Sequence, residues 1–208
     1  MHTNLEIEKW FDDLNKLIQD IFICYRNLSD FYDLRSKNKI LQQDFFHFFS
    51  YQQFFMINIQ LAKIFESKKQ QERNIITLCN KIIKGDYDSD IKGIFEIKKR
   101  YMPCSRFIEE IKNVAKIQRK VIKKKQIIID KVTKTRNKVY AHTDIEKIKD
   151  FPTLQELEEL VELSSKIFNS IRGQLYGINT DFSKGLISLK LKDLIRLLGL
   201  KQQSPYLE

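Results

Sequence analysis

Turn-forming residues are scarce in this chain, and their scarcity constrains the fold more than any other feature of the sequence. Only 6 Gly and 3 Pro occur among 208 residues, whereas Lys, Ile, Leu, Glu and Phe are abundant. Because Gly and Pro are the residues that most often end helices, their rarity favours long helices. The sequence therefore predicts an all-α fold. With 42% hydrophobic residues, a chain of this length can bury one sizeable core, and we expect a single domain over residues 1–208.

Apolar residues recur at helical spacing in several stretches that polar residues separate. The predicted helices cover residues 5–28, 44–65, 72–83, 91–99, a long basic element from 105 to about 141, and 153–171. Gly85 is expected to cap the third helix at its C-terminus, and Ser105 and Thr153 to cap the last two at their N-termini. Residues 173–208 form a C-terminal extension in which 186–200 fits a helix better than a strand.

The chain carries a net charge of +10 and has a pI near 9.4, so it should attract polyanions such as nucleic acid or an anionic membrane surface. It has no apolar run near the roughly 20 residues of a membrane span and no signal-peptide pattern, so we predict a soluble cytoplasmic protein. Cys24, Cys79 and Cys104 are far apart and odd in number, which favours reduced thiols. Without a zinc signature or a Gly-rich phosphate loop, we expect no metal and no cofactor.

Arg136 and His142 are the residues best suited to chemistry in this sequence. An arginine can hold a phosphate through its planar fork of donors, and a histidine can transfer a proton near pH 7. Such a pair could act on a phosphodiester without a metal, so RNA is the predicted substrate. The bare spacing also arises by chance, which leaves an accidental pairing open.

A helix over residues 128–140 would place Arg136 in the middle of an apolar arc. A buried guanidinium needs an acidic partner in its own core, an opening to water, or an anionic ligand. His142 falls about 120° away on the same helix, so either the helix ends near Ala141 or two copies pack through the arc. We favour the homodimer, which substitution of Val132 or Val139 by Lys should weaken. The arc consists of Ile128, Ile129, Val132, Val139 and Tyr140.

Lysines form a stripe about 100° wide if one continuous helix carries the whole basic element. This stripe is a candidate track for RNA phosphates, and its alternative is the solvated face of a Lys-rich helix. A helix break near residues 123–126 would remove the alignment. The lysines are Lys116, Lys120, Lys123, Lys124, Lys131, Lys134 and Lys138, of which Lys124, Lys131, Lys134 and Lys138 are the candidate RNA-binding residues.

The chain resembles the HEPN superfamily, whose mark is an Arg, a polar residue, a short spacer and a His. Here the motif reads Arg136-Asn137-Lys138-Val139-Tyr140-Ala141-His142-Thr143-Asp144. The run Leu61-Ala62-Lys63-Ile64-Phe65-Glu66 also resembles the abortive-infection branch of that superfamily, in which such a run precedes a shorter helix. The resemblance covers about residues 1–172.

This resemblance implies an antiparallel helical bundle that forms a two-fold homodimer and acts as a metal-independent endoribonuclease, typically a toxin or antiphage defence effector. Arg136 would bind the scissile phosphate, and His142 would move a proton or hold the phosphate. The substrate's own 2′-hydroxyl would attack, leaving a 2′,3′-cyclic phosphate. Asn137 would orient the pair, with Tyr140 and Asp144 in supporting positions.

Two further interpretations stay open. The chain could be a catalytically inactive HEPN-like module that binds RNA or a nucleotide or only dimerises. It could also be a basic helical protein in which Arg136 pairs with an internal carboxylate and the lysines face water singly. The resemblance also implies a cognate antitoxin such as a nucleotidyltransferase, but the Tyr that such partners modify in one toxin subgroup is Asp144 here.

Overall fold

The computed structural model describes residues 5–66, 73–98, 100–141, 150–183, 191 and 193, with the backbone alone for 139–141. All regular structure in these residues is helical, which confirms the predicted fold class. The elements are α1 (Glu6–Arg35), a short 3₁₀ helix (Lys39–Gln42), α2 (Asp44–Phe65), α3 (Ile75–Lys84), α4 (Asp88–Lys98), α5 (Cys104–Lys124), α6 (Gln126–Ala141) and α7 (Leu154–Tyr176). None of the helices in the described ranges is long and apolar enough to span a membrane.

Local capping groups set several of the helix ends, as the sequence predicted. Gly85 ends α3 in the left-handed conformation, with φ 91°, where glycine has no steric penalty. Thr153 begins α7 in a capping box, because its hydroxyl accepts from the N–H of Glu156 while that carboxylate accepts from the N–H of Thr153. The predicted N-cap at Ser105 is wrong, since α5 already begins at Cys104 with Pro103 before it.

The long basic element is two helices rather than one. Lys125 leaves the helical conformation, with φ −102° and ψ 13°, and its ammonium group donates to Glu159 on α7 at 2.7 Å. On either side of it the chain changes packing partners: α5 lies against α3 and α7, whereas α6 lies mainly against α2. The continuous lysine stripe therefore does not form, and the lysines of α5 do not align with Lys134 and Lys138 on α6.

The core is built around α1, which packs against both α2 and α7. A main cluster joins all seven α-helices and includes Phe182 beyond the end of α7. A smaller cluster at the far end of α1 and the start of α2 contains Leu191, so the chain after α7 returns to the bundle there. Residues 191 and 193 are helical, and the rest of the helix predicted over 186–200 lies outside the described residues.

The described part of the apolar arc on α6 is covered by the chain itself. Ile129 and Val132 are 2% and 1% exposed, and both belong to the main core beneath α2. A helical projection shows which residues share a face, but it does not show what covers that face. The prediction that Val132 lies in a dimer contact is therefore wrong, and Val139 lies among residues whose side chains the structure does not describe.

Val132→Lys should unfold the single chain instead of splitting a dimer. The substitution places an ammonium group in the main core with no carboxylate introduced to pair with it, which should lower the free energy of unfolding by several kcal/mol. Thermal denaturation followed by circular dichroism would measure this loss, and Lys134→Ala on the exposed face of α6 is the control. A variant with an unchanged melting temperature and a halved mass in light scattering would contradict the assignment.

Candidate functional site

Arg136 forms an ion pair with Glu66 across the contact between α6 and α2. Its Nη1 donates to Oε2 of Glu66, and the two side chains are 15% and 6% exposed. Glu66 is the first residue after α2, where the backbone becomes extended and its N–H donates to the carbonyl of Ala62 at 2.8 Å. The end of α2 therefore fixes the carboxylate that receives the arginine.

The other edge of the Arg136 guanidinium is closed by the residue that follows it. Nε and Nη2 donate to Oδ1 of Asn137 at 3.1 Å and 2.7 Å. Asn137 is exposed and neutral, unlike Glu66. The Nε/Nη2 edge has the geometry that holds a phosphate through two parallel hydrogen bonds, so Asn137 occupies the position that an anion from solvent would take.

These contacts answer one question that the sequence left open, namely what partner the Arg136 guanidinium has. A guanidinium on the apolar arc needed a partner, and that partner is an internal carboxylate, with the exposed amide of Asn137 beside it. His142 and Asp144 lie outside the described residues, as does the side chain of Tyr140, so the meeting of Arg136 with His142 stays a prediction.

The candidate RNA-binding lysines differ in their surroundings. Lys131 donates to Glu156 at 2.9 Å and forms an ion pair with Asp150 at 3.0 Å, and it therefore links α6 to the start of α7. Lys134 and Lys138 are exposed, and each lies about 160° around α6 from Arg136 because each is two positions away along the helix. Lys124 is exposed at the end of α5. Lys134 and Lys138, the lysine row on α6, thus lie on the side of the helix opposite Arg136 and away from α2.

The chain matches one protein-family model over most of its length. The model HEPN_AbiU2, described as AbiU2, matches residues 5–193. The chain belongs to the HEPN_AbiU2 family. This membership confirms the resemblance to the abortive-infection branch of the HEPN superfamily, and the match extends beyond residue 172, where the resemblance was expected to end. Searches of curated proteins and of solved structures find no significant match.

Glu66 is the residue of this HEPN_AbiU2 chain that sequence reasoning missed as part of the site. It closes the Leu61–Glu66 run, which carried part of the resemblance, and it lies 70 residues from Arg136 in the sequence. Two signals were present: a guanidinium that needed an acid, and an acidic residue at the end of the helix with the strongest aromatic density. Only the packing of α6 on α2 joins them.

The Lys131–Glu156 pair gives this HEPN_AbiU2 chain a stability that depends on pH. The backbone hydrogen bond from Thr153, followed by the hydrogen bond from Lys131, holds the pKa of Glu156 below its ordinary value of 4.5. The hydrogen bonds to Glu156 and Asp150 hold the pKa of Lys131 above its ordinary value. A carboxylate with a lowered pKa stabilises the fold above pH 4.5 and loses that contribution as the pH falls through its folded-state pKa.

Glu156→Gln should therefore be less stable than the unsubstituted protein at neutral pH. It should also lose less stability than that protein as the pH falls. The amide can still accept from the Thr153 N–H, but it cannot titrate. Melting temperatures of both proteins between pH 7 and pH 3 would measure this, with Glu158→Gln on the same helix as the control. Parallel curves for Glu156→Gln and the unsubstituted protein would contradict the role given to Glu156.

Cys24, Cys79 and His47 of the HEPN_AbiU2 chain have surroundings that fit a structural role. Burial raises the pKa of the Cys79 thiol to about 12 and that of Cys24 to about 11, so neither is a thiolate at neutral pH. His47 is half-buried, and its Nε2 lies 3.3 Å from Nη2 of Arg35, with its ring against Phe31. Since arginine can only donate, that ring nitrogen accepts. In the described ranges, no group of three or more His, Cys, Asp or Glu residues could hold a metal.

Proposed function

We propose that this HEPN_AbiU2 chain is a metal-independent endoribonuclease that acts as a toxin or antiphage defence effector. The observation that carries the proposal is the state of Arg136. Its guanidinium is fixed on one side by a buried carboxylate, and only an exposed, neutral amide closes the edge best suited to a phosphate. A guanidinium that a carboxylate holds in place can stabilise charge that develops on a phosphate once the amide of Asn137 has moved aside.

In the proposed reaction, the 2′-hydroxyl oxygen of the RNA attacks the adjacent phosphorus while the bond from phosphorus to the 5′-oxygen breaks. Arg136 binds and neutralises the non-bridging oxygens of the phosphate. The attacking 2′-hydroxyl gives up its proton and the leaving 5′-oxygen takes one up, and His142 moves one of these protons or holds the phosphate. The products are a 2′,3′-cyclic phosphate and a 5′-hydroxyl. Asn137 orients the Arg136 guanidinium through its hydrogen bonds until the phosphate takes its place, and Tyr140 and Asp144 support the pair.

The proposal keeps a homodimer, but its contact is not the face of α6 that carries Val132. An apolar surface is exposed on the first half of α2, where Phe45 and Phe48 are 66% and 62% exposed and the ring of Tyr51 stacks on Phe55. An exposed aromatic surface of this kind favours association. We propose that the aromatic surface binds a second copy of the chain. The other proposed partners are RNA and a cognate antitoxin such as a nucleotidyltransferase.

The lysine row on α6 should strengthen RNA binding without contributing to the chemical step. Replacing Lys134 and Lys138 together by Ala should reduce the salt dependence of RNA affinity by roughly 0.7 in log–log slope for each single-strand phosphate that is no longer neutralised. The cleavage rate at saturating RNA should not change, because both lysines lie on the side of α6 away from Arg136. Lys16 and Lys37, both exposed, give a control with the same change in net charge. Equal effects in the two double variants would show that only net charge matters.

The chemistry of cleavage tests the proposal. The purified protein should convert a single-stranded RNA into fragments that end in 2′,3′-cyclic phosphate and begin with 5′-hydroxyl. The same sequence made of 2′-O-methyl RNA should bind with similar affinity and stay intact, because its nucleophile is blocked. Fragments with 5′-phosphate ends, or cleavage of the 2′-O-methyl strand, would contradict the proposed reaction.

A second candidate function is a catalytically inactive module that binds RNA or a nucleotide. The ion pair with Glu66 favours it, because a carboxylate beside Arg136 neutralises the charge that should attract a phosphate. The cleavage experiment separates the two functions. An inactive module would bind the unmodified RNA and the 2′-O-methyl RNA and cleave neither.

A further inference from the structure

The two acceptors that hold Arg136 differ in burial, charge and origin. Glu66 is charged, 6% exposed and fixed at the end of α2. Asn137 is neutral, exposed and adjacent to Arg136 on α6. A phosphate that reaches the guanidinium from solvent must replace one of them or share the arginine with both.

Replacing Asn137 is the easier exchange. Its amide would return to water, where its hydrogen bonds are readily satisfied, and the guanidinium edge would gain a charged acceptor in place of a neutral one. Replacing Glu66 would instead separate a buried carboxylate from the cation it pairs with, which is strongly unfavourable. The phosphate should therefore take the Nε/Nη2 edge and leave the contact between Nη1 and Glu66 intact.

We propose that Glu66 is a positioning residue of the ribonuclease site, which holds the Arg136 guanidinium by one end so that its Nε/Nη2 edge is presented to the scissile phosphate. The inference rests on the proposed function. Glu66 does not touch the RNA and acts on the reaction through Arg136. Its presence slightly opposes phosphate binding, because it lowers the positive charge of the site, and it favours the chemical step by fixing the geometry of the arginine.

This division of roles predicts a split between the two kinetic parameters. In Glu66→Gln the acceptor remains but the ionic interaction is removed, so the guanidinium is held less firmly and kcat should fall by about tenfold or more. KM should stay the same or decrease, because the site gains one net positive charge. Glu66→Asp keeps the negative charge but shortens the side chain, so it should give a smaller loss in kcat. It is the variant to measure if Glu66→Gln folds poorly.

The decisive readout is the effect of Glu66→Gln in an Arg136→Lys background. A residue that affects the rate through the arginine fork has little to add once the fork is gone, so the second substitution should change the residual rate by less than about twofold. Asp88→Asn, which breaks the ion pair between Asp88 and Lys112 where α4 meets α5, is the control for a general loss of stability. Melting temperatures of all variants would be measured alongside the rates.

Three outcomes would overturn the inference. An unchanged or raised kcat in Glu66→Gln would make Glu66 a competitor of the phosphate. A fall in kcat of the same size in Asp88→Asn, with melting temperatures lowered to the same extent, would mean that the Glu66→Gln variant is only destabilised. A full effect of Glu66→Gln in the Arg136→Lys background would separate Glu66 from the arginine. If Arg136→Lys itself leaves cleavage unchanged, the proposed function fails instead.

Discussion

Arg136→Lys should lower the rate of RNA cleavage by about a hundredfold or more while the protein stays folded. Lysine keeps a positive charge beside Glu66, so the buried carboxylate retains a cation. It has no planar fork, however, and cannot offer two parallel donors to a phosphate as the Nε/Nη2 edge does. The loss should appear mainly in kcat, because the bidentate contact matters most when charge develops on the phosphate.

Arg136→Ala would give a similar loss of cleavage but a less clear interpretation. Removing one partner of a buried ion pair leaves the other charge unpaired, which typically destabilises a protein by about 3–5 kcal/mol. Arg106→Lys is the matched control for the lysine variant, since Arg106 is exposed on α5 and pairs with Glu110 within the same helix. Arg136→Lys with the rate of the unsubstituted protein and an equal melting temperature would remove Arg136 from the active site.

His142→Ala should also depress cleavage by about two orders of magnitude or more, the usual size of a general acid–base contribution. Its effect should depend on pH, because the rate of the unsubstituted protein should follow the titration of an imidazole and the residual rate of the variant should not. His47→Ala is the control, since His47 is engaged with Arg35 and Phe31 at the other end of α2. Equal losses in the two histidine variants would contradict a special role for His142.

Mixing the two inactive variants would show whether each site is shared between two chains. If Arg136 of one chain works with His142 of another, heterodimers of Arg136→Lys and His142→Ala contain one site with both native residues. Refolding the variants together should then restore part of the activity, whereas each variant refolded alone should stay inactive. Absence of recovery in heterodimers verified by mass would place both residues of a site in one chain.

Much of the fold could be predicted from local sequence. The start of α7 at Thr153 and the end of α3 at Gly85 follow from groups within one turn of the helix end. The end of α1 was predicted too early, at Leu28, because the polar residues that follow look like a loop. Phe31 and Leu34 extend the apolar face into the second hydrophobic cluster, and so the helix continues to Arg35.

The candidate site was less accessible to sequence reasoning because it depends on contacts between distant segments. The helical projection placed Arg136 on an apolar face and so required a partner for it. It could not show that α2 covers that face, nor that the partner is Glu66. The break at Lys125 has no Gly or Pro to signal it and accompanies the change of packing partner from α3 and α7 to α2. That break, in turn, decides which lysines share a surface.

Cleavage in excess EDTA tests most directly whether the Arg136 motif cleaves RNA without a metal. Metal-depleted protein and Arg136→Lys would be incubated with the same RNA, with EDTA or with added magnesium, and the rates compared. We predict that the unsubstituted protein cleaves at the same rate in EDTA and in magnesium, and that Arg136→Lys is slower by about a hundredfold in both. Cleavage that requires magnesium, or that Arg136→Lys performs at the full rate, would contradict the claim.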